Sequence, residues 1–368
     1  MSLALLLATE LEVDVASGLE TYGLSAPGRY AERVRELGVS HVALPSLTRA
    51  WDPRRDVDAA RELFGVLRRL RPDVLHTHNP KTGVLGRVVG RLAGVPVVVN
   101  TCHGLWAGPD DRLRKRLAVY AAEAAAAGLS DAELYQNGVD RDTLRRMVGR
   151  SKTRVVGNGT DLDAFAPDPV SRRRLRSALG LCDDDLLVGG VGRMVAEKGI
   201  TEFAAVAREL RRDATFVWVG PDDPDKPDAV TSAGTDVSFL GERSDMAAVY
   251  NALDVFVLPS YREGFSRSAM EAAATATPMV LSDIRGCREI GAHDREVLLV
   301  PPRDPVALRA AVERLLCSPE LRTRLAAAAR HRALACFDQR GVARVSLQTY
   351  AAVADSKQLG WIVEREIG

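Results

Sequence analysis

Two glutamates, Glu263 and Glu271, flank a Gly264-Phe265-Ser266 turn within the segment Leu258–Glu271. If the chain is helical from the turn onward, a rise of about 1.5 Å per residue puts the carboxylates roughly 12 Å apart. A hydrolase pair across one glycosidic bond needs about 5 to 9.5 Å, so that chemistry is set aside. The spacing suits two ends of one long ligand with an anion between them. The backbone N–H groups of Gly264, Phe265 and Ser266 would face that anion from the helix N-terminus. A nucleotide sugar is built this way: sugar, diphosphate, ribose, base.

A ligand of that kind needs cations. Arg193 and Lys198 follow a strand that ends at Gly192 and precede a helix. Arginine offers a planar fork and lysine a point charge, which together make a diphosphate clamp. A charged surface loop is the plainer alternative. Gly190-Val191-Gly192 is not a dinucleotide fingerprint, because Val195 occupies the third glycine position. Arg243 follows the strand Val237–Leu240, where its backbone could hold a flat base or simply connect strand to helix. Glu271 lies among the small apolar residues Ala269–Ala274, so its carboxylate wants a partner. Ribose hydroxyls could supply it, as they do for acidic residues in dinucleotide folds. A partly buried helix carboxylate is the alternative. His76 and His78 alternate onto one strand face, but no third ligand stands near them in sequence, so no metal site is expected. Asp183-Asp184-Asp185 precedes a strand and reads as a solvated turn.

These residues must be positioned by alternating strands and helices, the pattern of parallel α/β sheets. The first half carries strand candidates at Val13–Ser17, His41–Leu44, Asp73–Thr77, Val95–Asn100, Ala132–Gln136 and Arg154–Gly157. The second half carries Leu186–Gly192, Thr215–Gly220, Val237–Leu240, Val255–Pro259, Met279–Asp283 and Val297–Val300. Helical patterns such as Arg55–Leu70 and Thr201–Arg211 separate them. The Asp/Pro-rich stretch Asp161–Asp168 marks a boundary near residue 165. The expected domains are residues 1–165 and 166–341, with a helix over 342–368 returning to the first. The chain opens on an apparent helix, Leu3–Glu10, before its first strand. A doubly wound domain starts with a strand, so the first domain is expected to lack its first strand, the alternative being that Leu3–Ala8 is itself that strand.

With 368 residues, two domains are favoured over one. A formal net charge of +1 and 5% aromatic residues give no footing for nucleic-acid binding. The five cysteines are scattered without a CxxC, which fits a reducing cytoplasm and argues against a disulfide framework. No apolar run is long enough to span a bilayer, and the opening apolar stretch is short and lacks a basic leader.

The Arg193…Lys198 clamp, the Glu263…Glu271 spacing, the strand Val255–Ser260 and the segment Val300–Pro305 together resemble the retaining glycosyltransferases of family 4 (glycosyl transferases group 1). Pro72–Lys81, Thr101-Cys102-His103-Gly104 and Gly157–Asp163 extend the resemblance into the first half. It covers roughly residues 10 to 350. It implies a GT-B architecture, two Rossmann-like domains facing a cleft, with donor bound mainly by the second domain and acceptor by the first. It implies that Arg193 and Lys198 hold the diphosphate and Glu271 the ribose. Glu263 and the amides of Gly264, Phe265 and Ser266 would meet sugar and phosphate. His103 would face the donor sugar as a positioning residue, and His78, Asn79 and Lys81 would line the acceptor side. No cofactor or metal is expected, since the cations and helix N-terminus can stabilise the leaving diphosphate.

The expected reaction moves a sugar from a nucleotide donor, UDP-linked, to a hydroxyl with retention of anomeric configuration. The acceptor would be a glycan, a lipid-linked sugar or a small molecule. The basic, partly apolar helix Arg112–Leu117 offers a weak peripheral contact with the inner membrane face, or else a solvated charged face. Two other readings stay open. One is a nucleotide-sugar epimerase of the same fold. The other is a non-catalytic nucleotide-sugar-binding protein, because the strand expected to be missing would carry a Gly-rich loop to the donor.

Overall fold

The computed structural model describes residues 2–48, 52–78, 80–108, 111–149, 152–224, 226–230 and 236–360. The chain divides into two compact units, Met1–Gly157 with Gln339–Gly368, and Asn158–Asp338. The division falls just ahead of the Asp161–Asp168 stretch.

The first unit holds six strands: β1 (Tyr22–Ser25), β2 (Ser40–Ala43), β3 (Val74–His78), β4 (Val97–Cys102), β5 (Ala132–Tyr135) and β6 (Thr153–Val155). β1 and β2 pair in parallel. β3, β4, β5 and β6 form a separate parallel sheet in that order. Among the described residues no ladder joins the two, so each sheet keeps an open edge. Val97, Val98 and Val99 on β4 are fully buried, as befits a strand covered on both faces. Helix Pro53–Leu70 covers one side. Asp52 caps it by accepting hydrogen bonds from the Arg54 and Arg55 amides, and Pro53 presets its first turn. Helix Gln339–Ser356 covers the other side, packing Leu347, Tyr350 and Ala354 against Val97 and Val99. Trp361 lies outside the described residues.

The beginning of the chain departs from its sequence reading. Val13–Ser17 is not a strand: residues Ala8–Ala16 form a helix, preceded by a shorter one at Ser2–Leu5. Ala4, Leu7, Leu11 and Asp14 are the buried positions, a helical stripe that outweighs the alternating valines. The first strand is Tyr22–Ser25, whose interior glycine and partly exposed side chains left no apolar run to detect.

The second unit holds β7 (Leu187–Val191), β8 (Thr215–Val219), β9 (Ser238–Phe239), β10 (Val255–Leu258), β11 (Met279–Ser282) and β12 (Leu298–Val300). They form one parallel sheet in the order β12-β11-β10-β7-β8-β9. Every residue of β10 is buried. Apolar clusters lie on both faces: Phe203, Trp218 and Val257 belong to one, Tyr250, Phe256 and Met270 to the other. This is a doubly wound sheet. Strand order reverses between β7 and β10, so the loops leaving those two strands diverge and open a crevice at their carboxyl ends. No described helix is long and apolar enough to cross a membrane.

Candidate functional site

The crevice between β7 and β10 collects Arg193, Lys198 and Glu263. The loop after β7 is fastened on several sides. Trp218 Nε1 donates to the Gly192 carbonyl at 2.8 Å. The Met194 amide donates to the Pro221 carbonyl at 3.1 Å and the Ala196 amide to the Asp228 carbonyl at 2.8 Å. Met194 and Val195 are buried, which leaves Arg193 and Lys198 projecting from a fixed frame. Gly199 closes the turn with φ of 73°, and a Cβ there would run into the Pro259 carbonyl. Glycine at this position therefore lets the loops after β7 and β10 touch. The Tyr261 amide then donates to the Glu197 carbonyl at 2.9 Å.

The two cations already have carboxylate partners. Lys198 Nζ lies 2.6 Å from Glu263 Oε1. Arg193 pairs with Asp223. Glu263 itself is held by close backbone packing, since a Cβ on Gly286 would sit 2.6 Å from the Glu263 carbonyl oxygen. The helix that follows spans only Arg267–Ala274, with Ser266 as its N-cap accepting from the Ala269 amide at 3.3 Å. The spacing estimate from sequence assumed helix from the turn onward, so it holds only for the last part of the segment. What separates the two glutamates is their partners. Glu271 accepts from Tyr250 Oη at 2.8 Å and from Arg267 Nε at 2.9 Å. It is 7% exposed. Burial raises its pKa, and Arg267 and Tyr250 oppose that rise. The partner that the sequence demanded for Glu271 is thus supplied first by the protein.

Phe265 is half-buried and packs edge-on against Phe337 with ring centroids 5.8 Å apart. Arg243 is bound to Asp245 through Nε at 2.8 Å and a terminal nitrogen at 2.6 Å. That pairing orients its side chain along its own loop.

In the first unit, β3 and β4 end side by side, and His78 is registered against Thr101. His78 Nδ1 and His103 Nε2 are 3.0 Å apart. Burial lowers the His103 pKa to about 4, so its imidazole is neutral at neutral pH. Burial and then His76 lower that of His78 as well. His76 Nδ1 lies 2.6 Å from Tyr350 Oη, and its Nε2 lies 2.7 Å from Thr101 Oγ1. Lys81 donates to the Thr48 carbonyl at 2.9 Å and pairs with Asp56, so it braces neighbouring segments. Asn79 lies outside the described residues. No third ligand stands near His76 and His78 in sequence, but the fold brings one to them from far along the chain. Glu10 Oε1 lies 3.2 Å from His76 Nδ1.

Sequence reasoning missed Asp223, Tyr250, Arg267 and Glu10. Only Arg267 left a signal, four residues before Glu271 on one helix face. The others are distant in sequence and were brought in by packing.

A doubly wound unit with two cations and a helix N-terminus at its strand-order reversal defines a class: parallel α/β proteins that bind phosphate-bearing ligands. The comparisons narrow the class. The Glycosyl transferase 4-like domain family matches residues 2–159, and Glycosyl transferases group 1 matches residues 185–318. An Escherichia coli UDP-Gal:alpha-D-GlcNAc-diphosphoundecaprenol alpha-1,3-galactosyltransferase is 33% identical over 66% of each chain. A Frankia alni D-inositol 3-phosphate glycosyltransferase is 32% identical over 76% of this chain and 74% of its own. The structure of Anabaena HepE in complex with UDP superposes with a TM-score of 0.78 over 94% of this chain and 96% of the other. At 18% identity that likeness shows the fold, a GT-B-type pair of parallel α/β domains. The chain belongs to the family 4 glycosyltransferases (glycosyl transferases group 1), enzymes that transfer sugar from a nucleotide-sugar donor.

Proposed function

We propose that this enzyme moves a hexose from a UDP-sugar to a hydroxyl of a lipid-linked saccharide, with retention of anomeric configuration, in bacterial surface polysaccharide or glycolipid synthesis. The observation that carries the donor half is the pair of cations, Arg193 and Lys198, held at the switch point of the second unit beside the helix capped by Ser266. A diphosphate entering there replaces Asp223 and Glu263 as partner of these cations. The charge developing on the leaving group is then met by groups already in place. Released from Lys198, the Glu263 carboxylate and the amides of Gly264, Phe265 and Ser266 address the sugar and its phosphate. Glu271, oriented by Tyr250 and Arg267, accepts from the ribose hydroxyls. The neutral imidazole of His103 orients the donor sugar through hydrogen bonds. His78 and Lys81 belong to the acceptor side. The leaving-group stabilisation comes from side chains and backbone, so departure of the diphosphate does not depend on a metal ion.

The lipid-linked acceptor is supported by the E. coli relative, whose name specifies a diphosphoundecaprenol substrate. It is supported too by the helix Leu113–Ala127, where Leu113 and Leu117 are exposed among Arg112, Arg114 and Lys115. Such a face suits loose contact with an anionic membrane on its cytoplasmic side. The experiment is a donor panel offered with and without an undecaprenyl-diphosphate-linked sugar, with products read by mass spectrometry and NMR. The expected result is acceptor-dependent UDP release and an axial linkage from an axial donor. Conversion of the donor to its epimer without acceptor overturns the reading in favour of an epimerase. Tight UDP binding with no turnover on any acceptor overturns it in favour of a binding protein.

A further inference from the structure

The transfer reaction leaves Glu10 and His76 unexplained, and of His78 it asks only a place on the acceptor side. Glu10 comes from helix Ala8–Ala16, and His76 and His78 come from β3. One ligand atom from each lies within 4.8 Å of the others, and among the described residues this is the one such group of three. The Glu10 and His76 side chains are only 17% and 9% exposed. Two histidines and a glutamate are a known zinc donor set.

The surroundings match what a metal requires of its second shell. A ligating histidine gives its other ring N–H to a fixed acceptor, which sets its tautomer and aims its lone pair. His76 does this: Nε2 faces Thr101 Oγ1 at 2.7 Å, and Nδ1 turns to Glu10. His78 does the same through Nδ1, which faces His103 Nε2 at 3.0 Å and leaves Nε2 as the ligating nitrogen. Tyr350 Oη, 2.6 Å from His76 Nδ1 and 3.5 Å from Glu10 Oε1, holds the place between these two groups and must turn aside from Nδ1 when the ion enters.

We propose that Glu10, His76 and His78 form a binding site for a divalent transition-metal ion of the zinc type, separate from the donor-phosphate site. The ion pins helix Ala8–Ala16 to the end of β3 and fixes His78, and through it His103. It serves structure and regulation and takes no part in the leaving-group chemistry. The site is selective by donor type: imidazole nitrogen suits zinc, nickel and copper, whereas magnesium prefers oxygen ligands.

The test uses the full chain, stripped with chelator and checked for native circular dichroism. Zinc chloride is titrated by calorimetry, with magnesium chloride as the comparison. The expected result is one zinc per chain, no magnesium response, and a Tm increase of about 5 °C when free zinc is about 100-fold above Kd. Glu10→Gln preserves shape and is expected to weaken zinc binding about 10-fold or more, as is His76→Asn. His331→Ala, an exposed histidine of the other unit, is expected to leave it unchanged. Absence of saturable zinc binding by the folded chain overturns the proposal. So does binding that is equally tight in Glu10→Gln and His76→Asn.

Discussion

The two units solve the same problem with different means. The second unit has one six-stranded sheet, and its site sits where strand order reverses. The first unit has its strands in two separate sheets, and its cluster sits at the ends of β3 and β4. In the second unit each cation is paired with a carboxylate, Lys198 with Glu263 and Arg193 with Asp223. Those pairs are partly solvated, so an incoming anion can exchange with them at modest cost. In the first unit His78 and His103 are held uncharged by burial. The difference teaches that the donor-phosphate site proposed for the second unit works by charge compensation, and that the first unit's imidazole cluster works by neutral hydrogen bonding.

The sharpest way to break this contrast is to remove a cation. Lys198→Ala and Arg193→Ala are each expected to lower kcat by about 10²–10³-fold, the cost of losing one group aimed at a developing negative charge. Steady-state transfer assays would show it, and a change below threefold in both would dissolve the clamp. A smaller effect is expected from His103→Ala. A neutral positioning group should cost kcat about 10- to 100-fold while calorimetric UDP affinity stays the same. Loss of UDP binding in that variant would erase the distinction between the two units.

Glu271→Ala is expected to weaken UDP about 10-fold, and Tyr250→Phe about threefold, because the phenol only orients the carboxylate. A 2′,3′-dideoxy nucleotide should show no further loss in Glu271→Ala and about threefold further loss in Tyr250→Phe. The last effect concerns stability and leaves ligand binding aside. Asp14 is buried, and its Oδ1 has no hydrogen-bond partner. Burial raises its pKa from 3.8 to about 8. The folded chain therefore keeps a proton that the unfolded chain releases above its own pKa. Stability is highest below the unfolded value and falls as pH rises through the interval up to about 8, by at most about 1.4 kcal/mol per pH unit. Asp14→Asn should flatten that slope in Tm measured at several pH values, with a gain that grows toward pH 8. An unchanged slope would show that Asp14 titrates as an exposed carboxyl.

The alternation of strand and helix was legible along most of the chain. Continuous apolar runs such as Val255–Leu258 and Val97–Val99 admit few alternatives, since a strand covered on both faces must be apolar throughout. Residues 8–16 misled because Val13 and Val15 mimic a strand's alternation, while burial follows the helical spacing of Leu7, Leu11 and Asp14. Tyr22–Ser25 was invisible because its half-exposed strand carries little apolar patterning.

By itself the sequence determined the alternating α/β pattern, the Arg193 and Lys198 loop, and the turn and helix carrying Glu263 and Glu271. These follow from local rules: apolar period, capping serine, glycine at a turn, charge after a strand. Only the tertiary structure decided who partners whom. It set Lys198 against Glu263, Asp223 against Arg193, Tyr250 against Glu271, and Glu10 against His76 and His78. The physical reason is that hydrogen bonds and ion pairs act over a few ångströms, whereas these partners lie tens of residues apart along the chain. Packing of the strands and helices closes that separation, and no spacing rule in the sequence encodes it.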